Sequence, residues 1–178
     1  MNSPAMNIPI MPIPMPIPMP ITMTNTSRQN GVTLVELMIV IAIVGIIATV
    51  GYPSYINVSQ ATYRAAAQSD LMALAGALER HKLANYTYHG AGASGANTGV
   101  PAVFATYSPS QESASNKRFD LTISNMNTNG TAYTITATPV TAGGMADNGV
   151  LVYFSDGRKA WDKNNNGSIS ASEYCWQC

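Results

Sequence analysis

The chain has 178 residues, of which 46% are hydrophobic and only 10% charged, with nine Lys and Arg balancing nine Asp and Glu. That length allows one modest domain plus an anchor. Zero net charge, and a charged fraction far below the usual roughly 25%, give no reason to expect a nucleic-acid partner held by a broad basic surface.

Residues 1–21 contain "PIMPIPMPIPMPI", in which Pro alternates with Met or Ile. Each Pro lacks an N–H and restricts the residue before it, so this piece is expected to be extended or disordered. The polar "TMTNTSRQNG" follows, with Arg28 as its only cation. The positive-inside rule places this end in the cytoplasm.

From Val32 to Tyr52 the chain is apolar, with Glu36 as its single charge. At about 1.5 Å per residue such a helix matches a hydrocarbon core of about 30 Å. A cleaved secretory signal would have an apolar core of about 7–15 residues and a small-residue cleavage site. A membrane span fits better, and an acid inside it, at about 2.5–3.5 kcal/mol, is a functional suspect.

Beyond Pro53, the residues Tyr63, Ala66, Ala67, Leu71, Leu74 and Leu78 follow three- and four-residue steps. Arg64, Gln68, Asp70, Glu79 and Lys82 mostly take the opposite positions, predicting an amphipathic helix to about residue 85. Residues 86–117 hold scattered Gly, Pro, Ser and Asn, and are expected to form a long surface loop. "RFDLTIS" and "AYTITATP" alternate apolar and polar residues around an Asn-Gly turn, and "VLVYFS" and "RKAW" flank Asp156-Gly157, predicting two hairpins. The expected fold is α+β, with the amphipathic helix covering a four-stranded antiparallel sheet over 118–178.

Two motifs follow the last strand. "DKNNNGSISASE" fits the calcium-loop pattern D-x-[DN]-x-[DN]-G-x5-E, with side-chain oxygens from Asp162, Asn164 and Asn166, the Ser168 carbonyl, Glu173, and a turn at Gly167. Because a strand precedes it and only two carboxylates contribute, any calcium affinity is expected near about 10⁻⁴–10⁻³ M. The competing reading is a polar loop whose side chains cap their own backbone. "CWQC" ends the sequence, and its position makes thioredoxin-type redox chemistry improbable. Cys175 and Cys178 are left with a tight mutual bridge or an intermolecular bond in an oxidising compartment. His81 and His89 have no nucleophile or metal-ligand partner nearby and read as solvated residues. The basic pairs Lys117-Arg118 and Arg158-Lys159 read as solvated faces with room for weak DNA contact.

The N-terminal motif resembles that of type IV prepilins, precursors of bacterial pilus and secretion filaments. Gly31 matches the glycine before the prepilin peptidase cut, Glu36 the acid at the fifth mature position, and Gly45 and Pro53 the family's helix-loosening residues. The resemblance implies a leader over 1–31, cleavage between Gly31 and Val32, N-methylation of Val32 where the family usually has Phe, and an assembly segment over 32–53 followed by the amphipathic half at 54–85. Family leaders are often short, which makes Met23 the expected start of translation. The resemblance further implies a subunit without enzymatic activity, anchored in the inner membrane with its C-terminal domain in the periplasm. Its expected partners are prepilin peptidase, an assembly platform and other pilin subunits, and its expected destination is a surface pilus for adhesion, twitching motility or DNA uptake. Glu36 would meet the Val32 amine of a neighbouring subunit. A type II secretion pseudopilin and a DNA-binding minor pilin of transformation are the alternatives.

Overall fold

The computed structural model describes residues 31–141 and 144–177. The proline-rich piece, Met23, Arg28 and Cys178 lie outside the described residues. Two compact units divide the chain, residues 1–42 and 43–178.

In the first unit Gly31, Val32 and Thr33 are non-helical and exposed, and helix α1 begins at Leu34. The helix is assigned continuously as Leu34–Asn85, through Pro53, although that residue lacks the N–H that would bond one turn back. By length and composition α1 can cross a membrane, and none of its most apolar window is buried.

In the second unit the later turns of α1 cover an antiparallel sheet. Ala67, Leu71, Leu74, Ala75, Ala77 and Leu78 are buried, with Tyr63 packed against the same core. The helical stripe read from the sequence is therefore the packing face. The sheet consists of β1 (Tyr107–Ser108), β2 (Phe119–Met126), β3 (Tyr133–Pro139), β4 (Leu151–Phe154) and β5 (Lys159–Trp161), adjacent in that order. Phe119, Leu121 and Ile123 of β2 alternate inward beside Ile135 and Ala137 of β3 and Leu151 of β4. Burying each of these large side chains contributes about 1.5–3 kcal/mol. The sheet thus has five strands rather than four. Strand β1 lies inside the expected loop and is too short to show any alternation.

The 86–117 segment is also more firmly tied than a surface loop. Gly99 and Ile123 exchange backbone bonds of 2.8 Å in both directions, and Leu121 donates to the Thr106 carbonyl at 2.9 Å. Asp70 of α1 accepts from the Ser108 hydroxyl at 2.6 Å and from the Ser110 N–H and hydroxyl at 3.0 and 2.6 Å. An acid on the helix's expected solvent side therefore binds the loop down.

Both hairpins form, with longer turns than their Asn-Gly and Asp-Gly pairs suggested. In the first, the Asn127 side chain accepts from the Thr131 and Ala132 N–H groups at 2.8 and 2.9 Å, closing the connection. In the second, Phe154 donates to the Arg158 carbonyl at 3.0 Å across Ser155, Asp156 and Gly157, with Gly157 at φ +86°. This is a three-residue turn with glycine in the left-handed region. His81 and His89 are partly buried and partly solvent-accessible, and the His81 ring nitrogen lies 2.9 Å from the His89 carbonyl.

Candidate functional site

At the N-terminal end, the Thr33 hydroxyl accepts the Glu36 N–H at 3.1 Å, placing Glu36 in the exposed first turn of α1. Neither Gly45 nor Gly51 has any atom within 4 Å of where a side chain would begin. Close backbone approach therefore does not require glycine at either position in this chain.

A second constellation forms where α1, β5 and the C-terminal segment meet. Strand alternation turns Lys159 and Trp161 to the same side of β5. The Trp161 indole donates to the Asn148 carbonyl at 2.6 Å, and the Arg64 guanidinium sits 4.8 Å above that ring while also donating to the Asn148 side chain. Lys163 approaches the same ring at 5.9 Å. Trp176 donates to the Val152 and Ala160 carbonyls at 3.2 and 3.1 Å, and Lys159 stands 4.9 Å from its ring centre. The Gln68 side chain donates to the Trp176 carbonyl at 3.3 Å, securing the segment to the helix. With both indole N–H groups directed at backbone carbonyls, the ring faces are left for the cations, each contact worth about 0.5–1 kcal/mol where exposed. An open groove of about 610 Å³ runs beside them, lined by Gln68, Met72, Lys159 and Trp176 among others.

The basic pairs noted in the sequence do not form one patch. Lys117 bonds Asp120 at 2.8 Å, and Arg118 lies 4.9 Å above Tyr63, at the start of β2. Arg158 bonds Asp156 at 2.7 Å and covers Phe154, near β5 and separated from the first pair by β3 and β4. Of the four, Lys159 alone joins the tryptophan face. Arg64, Trp161, Lys163 and Trp176 complete it, and sequence reading missed them as a group. The alternation Lys159, Trp161, Lys163 was the available signal.

The calcium-like loop is organised by its own side chains. Asp162, only 2% exposed, accepts the Asn166 and Gly167 N–H groups at 3.0 and 2.8 Å. Asn164 also accepts from Asn166 at 3.0 Å, and Asn166 from Ser168 at 2.8 Å. Gly167 turns at φ +80°. Glu173 accepts the Ser170 N–H and hydroxyl at 2.9 and 2.7 Å, and its other oxygen takes the Asn164 N–H at 3.2 Å. The Ser170 bonds hold the Glu173 carboxyl below its ordinary value of 4.5. Asp162 and Asn164 both accept from the Asn166 N–H while the Asn166 oxygen faces the Ser168 N–H, so these side chains cap the loop's own backbone. Glu173 does not suit a two-oxygen ligand, because its capping box would have to open. Among the described residues no group of three or more His, Cys, Asp and Glu could hold a metal. Cys175, half-buried after this loop, is disulfide-bonded.

An apolar N-terminal helix continuing into a helix-covered antiparallel sheet defines the type IV pilin-like class, with a membrane anchor at its start. Residues 26–52 match the prokaryotic N-terminal methylation motif. Residues 53–148, more than half of the chain, match the family described as type IV minor pilin ComP, DNA uptake sequence receptor, and the chain belongs to that family. It is also similar to the type II secretion system core protein G of Klebsiella pneumoniae, 43% identical over 61 residues, covering 34% of this chain and 44% of that protein. The corresponding Escherichia coli K12 protein is 38% identical over 63 residues, covering 35% of this chain and 43% of its own length. The chain thus spans less than half the length of the curated relatives it matches. No solved structure matches it.

Proposed function

We propose that this chain is a minor pilin that is cleaved between Gly31 and Val32, methylated at Val32, and built through α1 into a filament in which Glu36 pairs with a neighbour's amine. Prepilin peptidase and an inner-membrane assembly platform act on it, its C-terminal domain faces the periplasm before assembly, and the finished filament is a surface pilus. Within the filament it contacts DNA through the tryptophan face.

The observation that carries the DNA reading is the placement of Arg64, Lys159 and Lys163 against the faces of Trp161 and Trp176. Cations held by aromatic rings are already ordered, so less side-chain entropy is lost when they meet phosphate. Neutralising Lys159 and Lys163 together, each to Gln, should weaken duplex binding by the intact protein and reduce the slope of log affinity against log salt by about 2. Lys117→Gln, which removes a residue already bonded to Asp120, serves as the control and should leave the slope unchanged. Absence of any salt-sensitive binding by the unaltered protein rejects the reading.

Calcium at the 162–173 loop belongs to the same proposal, supported by the calcium-loop spacing of Asp162, Asn164 and Asn166 and by the Asp162 and Asn164 oxygens that meet at the Asn166 N–H. Calorimetry should register binding near about 10⁻⁴–10⁻³ M that Asp162→Ala removes. A titration of the unaltered protein without heat eliminates the site.

A secretion pseudopilin is the second reading, favoured by the 43% identity to the Klebsiella protein over 61 residues. Deleting the gene and scoring pili, twitching, secretion and transformation together separates the two. Loss of secretion with transformation intact selects the pseudopilin.

A further inference from the structure

The bond cut in the proposed maturation, Gly31–Val32, lies outside α1, separated from Leu34 only by Val32 and Thr33. The residue that sets this boundary is Thr33. Its hydroxyl accepts the Glu36 N–H at 3.1 Å, while its carbonyl already accepts the Leu37 N–H at 3.1 Å. That pair of bonds is what an N-cap residue makes, and Thr33-Leu34-Val35-Glu36 has the spacing of a capping box.

The flanking Val32 and Leu34 have no oxygen with which to replace the cap. Gly31 caps about as well as threonine and would then commit its own carbonyl to the first helical bond, and the nearest capping side chain upstream is that of Asn30. A helix started by Asn30 would make Gly31 and Val32 its first two residues and bring the scissile peptide bond into the first turn. There the Gly31 carbonyl would be committed to a helical hydrogen bond, and a peptidase could attack it only after local unwinding.

We propose that Thr33 is a positioning residue for maturation, its hydroxyl starting α1 just after the scissile bond and keeping that bond outside the helix. The proposal rests on the reading that cleavage occurs at Gly31–Val32. It also gives the threonine a task distinct from that of Glu36, although the two share one hydrogen bond, which uses the Glu36 backbone N–H and not its carboxylate.

The test is the rate at which purified prepilin peptidase removes the leader from the full-length precursor in membranes, followed by intact mass. Thr33→Val keeps the shape and loses the hydroxyl, and should slow cleavage by about 2- to 30-fold, the range that loss of an N-cap implies. Thr33→Ser keeps the hydroxyl and should restore the rate. A Thr33→Val precursor cut at the unaltered rate overturns the proposal, as does equal slowing in Thr33→Ser. An unaltered precursor that is not cut, or is cut elsewhere, overturns the cleavage reading on which the proposal rests.

Discussion

Gly149→Ala is expected to destabilise the second unit by more than about 4 kcal/mol, a large fraction of an ordinary domain's total. Gly149 is buried at φ +66°, and a Cβ there would stand 1.7 Å from the Asp162 carbonyl oxygen and 2.8 Å from its carbon. Both atoms are backbone, so no rotamer change relieves the clash. The contact is a junction: Asn148 receives the Trp161 indole and the Arg64 guanidinium, and Asp162 donates to the Val150 carbonyl at 3.0 Å. Separating the two segments would therefore open the end of β5, release Trp161 and disturb the buried Asp162.

Gly157→Ala provides the scale. Gly157 has a similar φ of +86° but nothing within 4 Å of the added carbon. It should lose only the left-handed backbone term, about 1–2 kcal/mol. Denaturation followed by the fluorescence of Trp161 and Trp176, the two tryptophans of the chain, reports on this junction directly. A loss for Gly149→Ala no greater than that for Gly157→Ala would show that the junction yields.

The contrast between these glycines also marks what sequence could convey. Gly157 lies between two alternating runs, and its turn is visible from that position. Gly149 depends on Asp162, thirteen positions away, whose backbone approach has no signature in either segment. The same division runs through the fold. The stripe Ala67, Leu71, Leu74 and Leu78 and the alternation of β2 and β3 are local periodicities and were legible. Strand β1 was not, because its two residues are held by pairing with Asp120 and Phe119 rather than by any pattern of their own. Asp70 looked like a solvated helix residue because its partners Ser108 and Ser110 lie in a segment without periodicity. At the tryptophan face, counting adjacent charges singled out Arg158-Lys159, whereas the alternation of the strand places Lys159 with Trp161. Arg64 joins them only because α1 crosses the sheet there. The N-terminal motif was legible for the opposite reason: its residues lie within one short stretch of sequence.

Glu36→Ala is expected to leave the protein in the membrane and to reduce its incorporation into filaments by two to nearly four orders of magnitude. The anchor has no use for the charge, since on insertion scales a carboxylate costs about 2.5–3.5 kcal/mol at mid-span and less near the end where Glu36 lies, and alanine removes that cost. In the assembled state the balance reverses. Glu36 is exposed in the first turn of α1, and in the filament proposed above its carboxylate meets the Val32 amine of another subunit inside a helical, water-poor core. Removing one member of a buried pair leaves the other charge uncompensated, at about 3–5 kcal/mol, which sets the size of the predicted loss. Glu36→Gln should fail almost as severely, because it keeps the shape but not the charge. Moving the carboxylate to the next position, as in Glu36→Leu with Leu37→Glu, should not rescue assembly, because one residue rotates it about 100° around the helix and away from the neighbour's amine. Quantifying each variant in sheared filaments and in membranes separates insertion from assembly. Filaments containing Glu36→Ala at the unaltered level would leave the carboxylate as an interfacial charge with no partner.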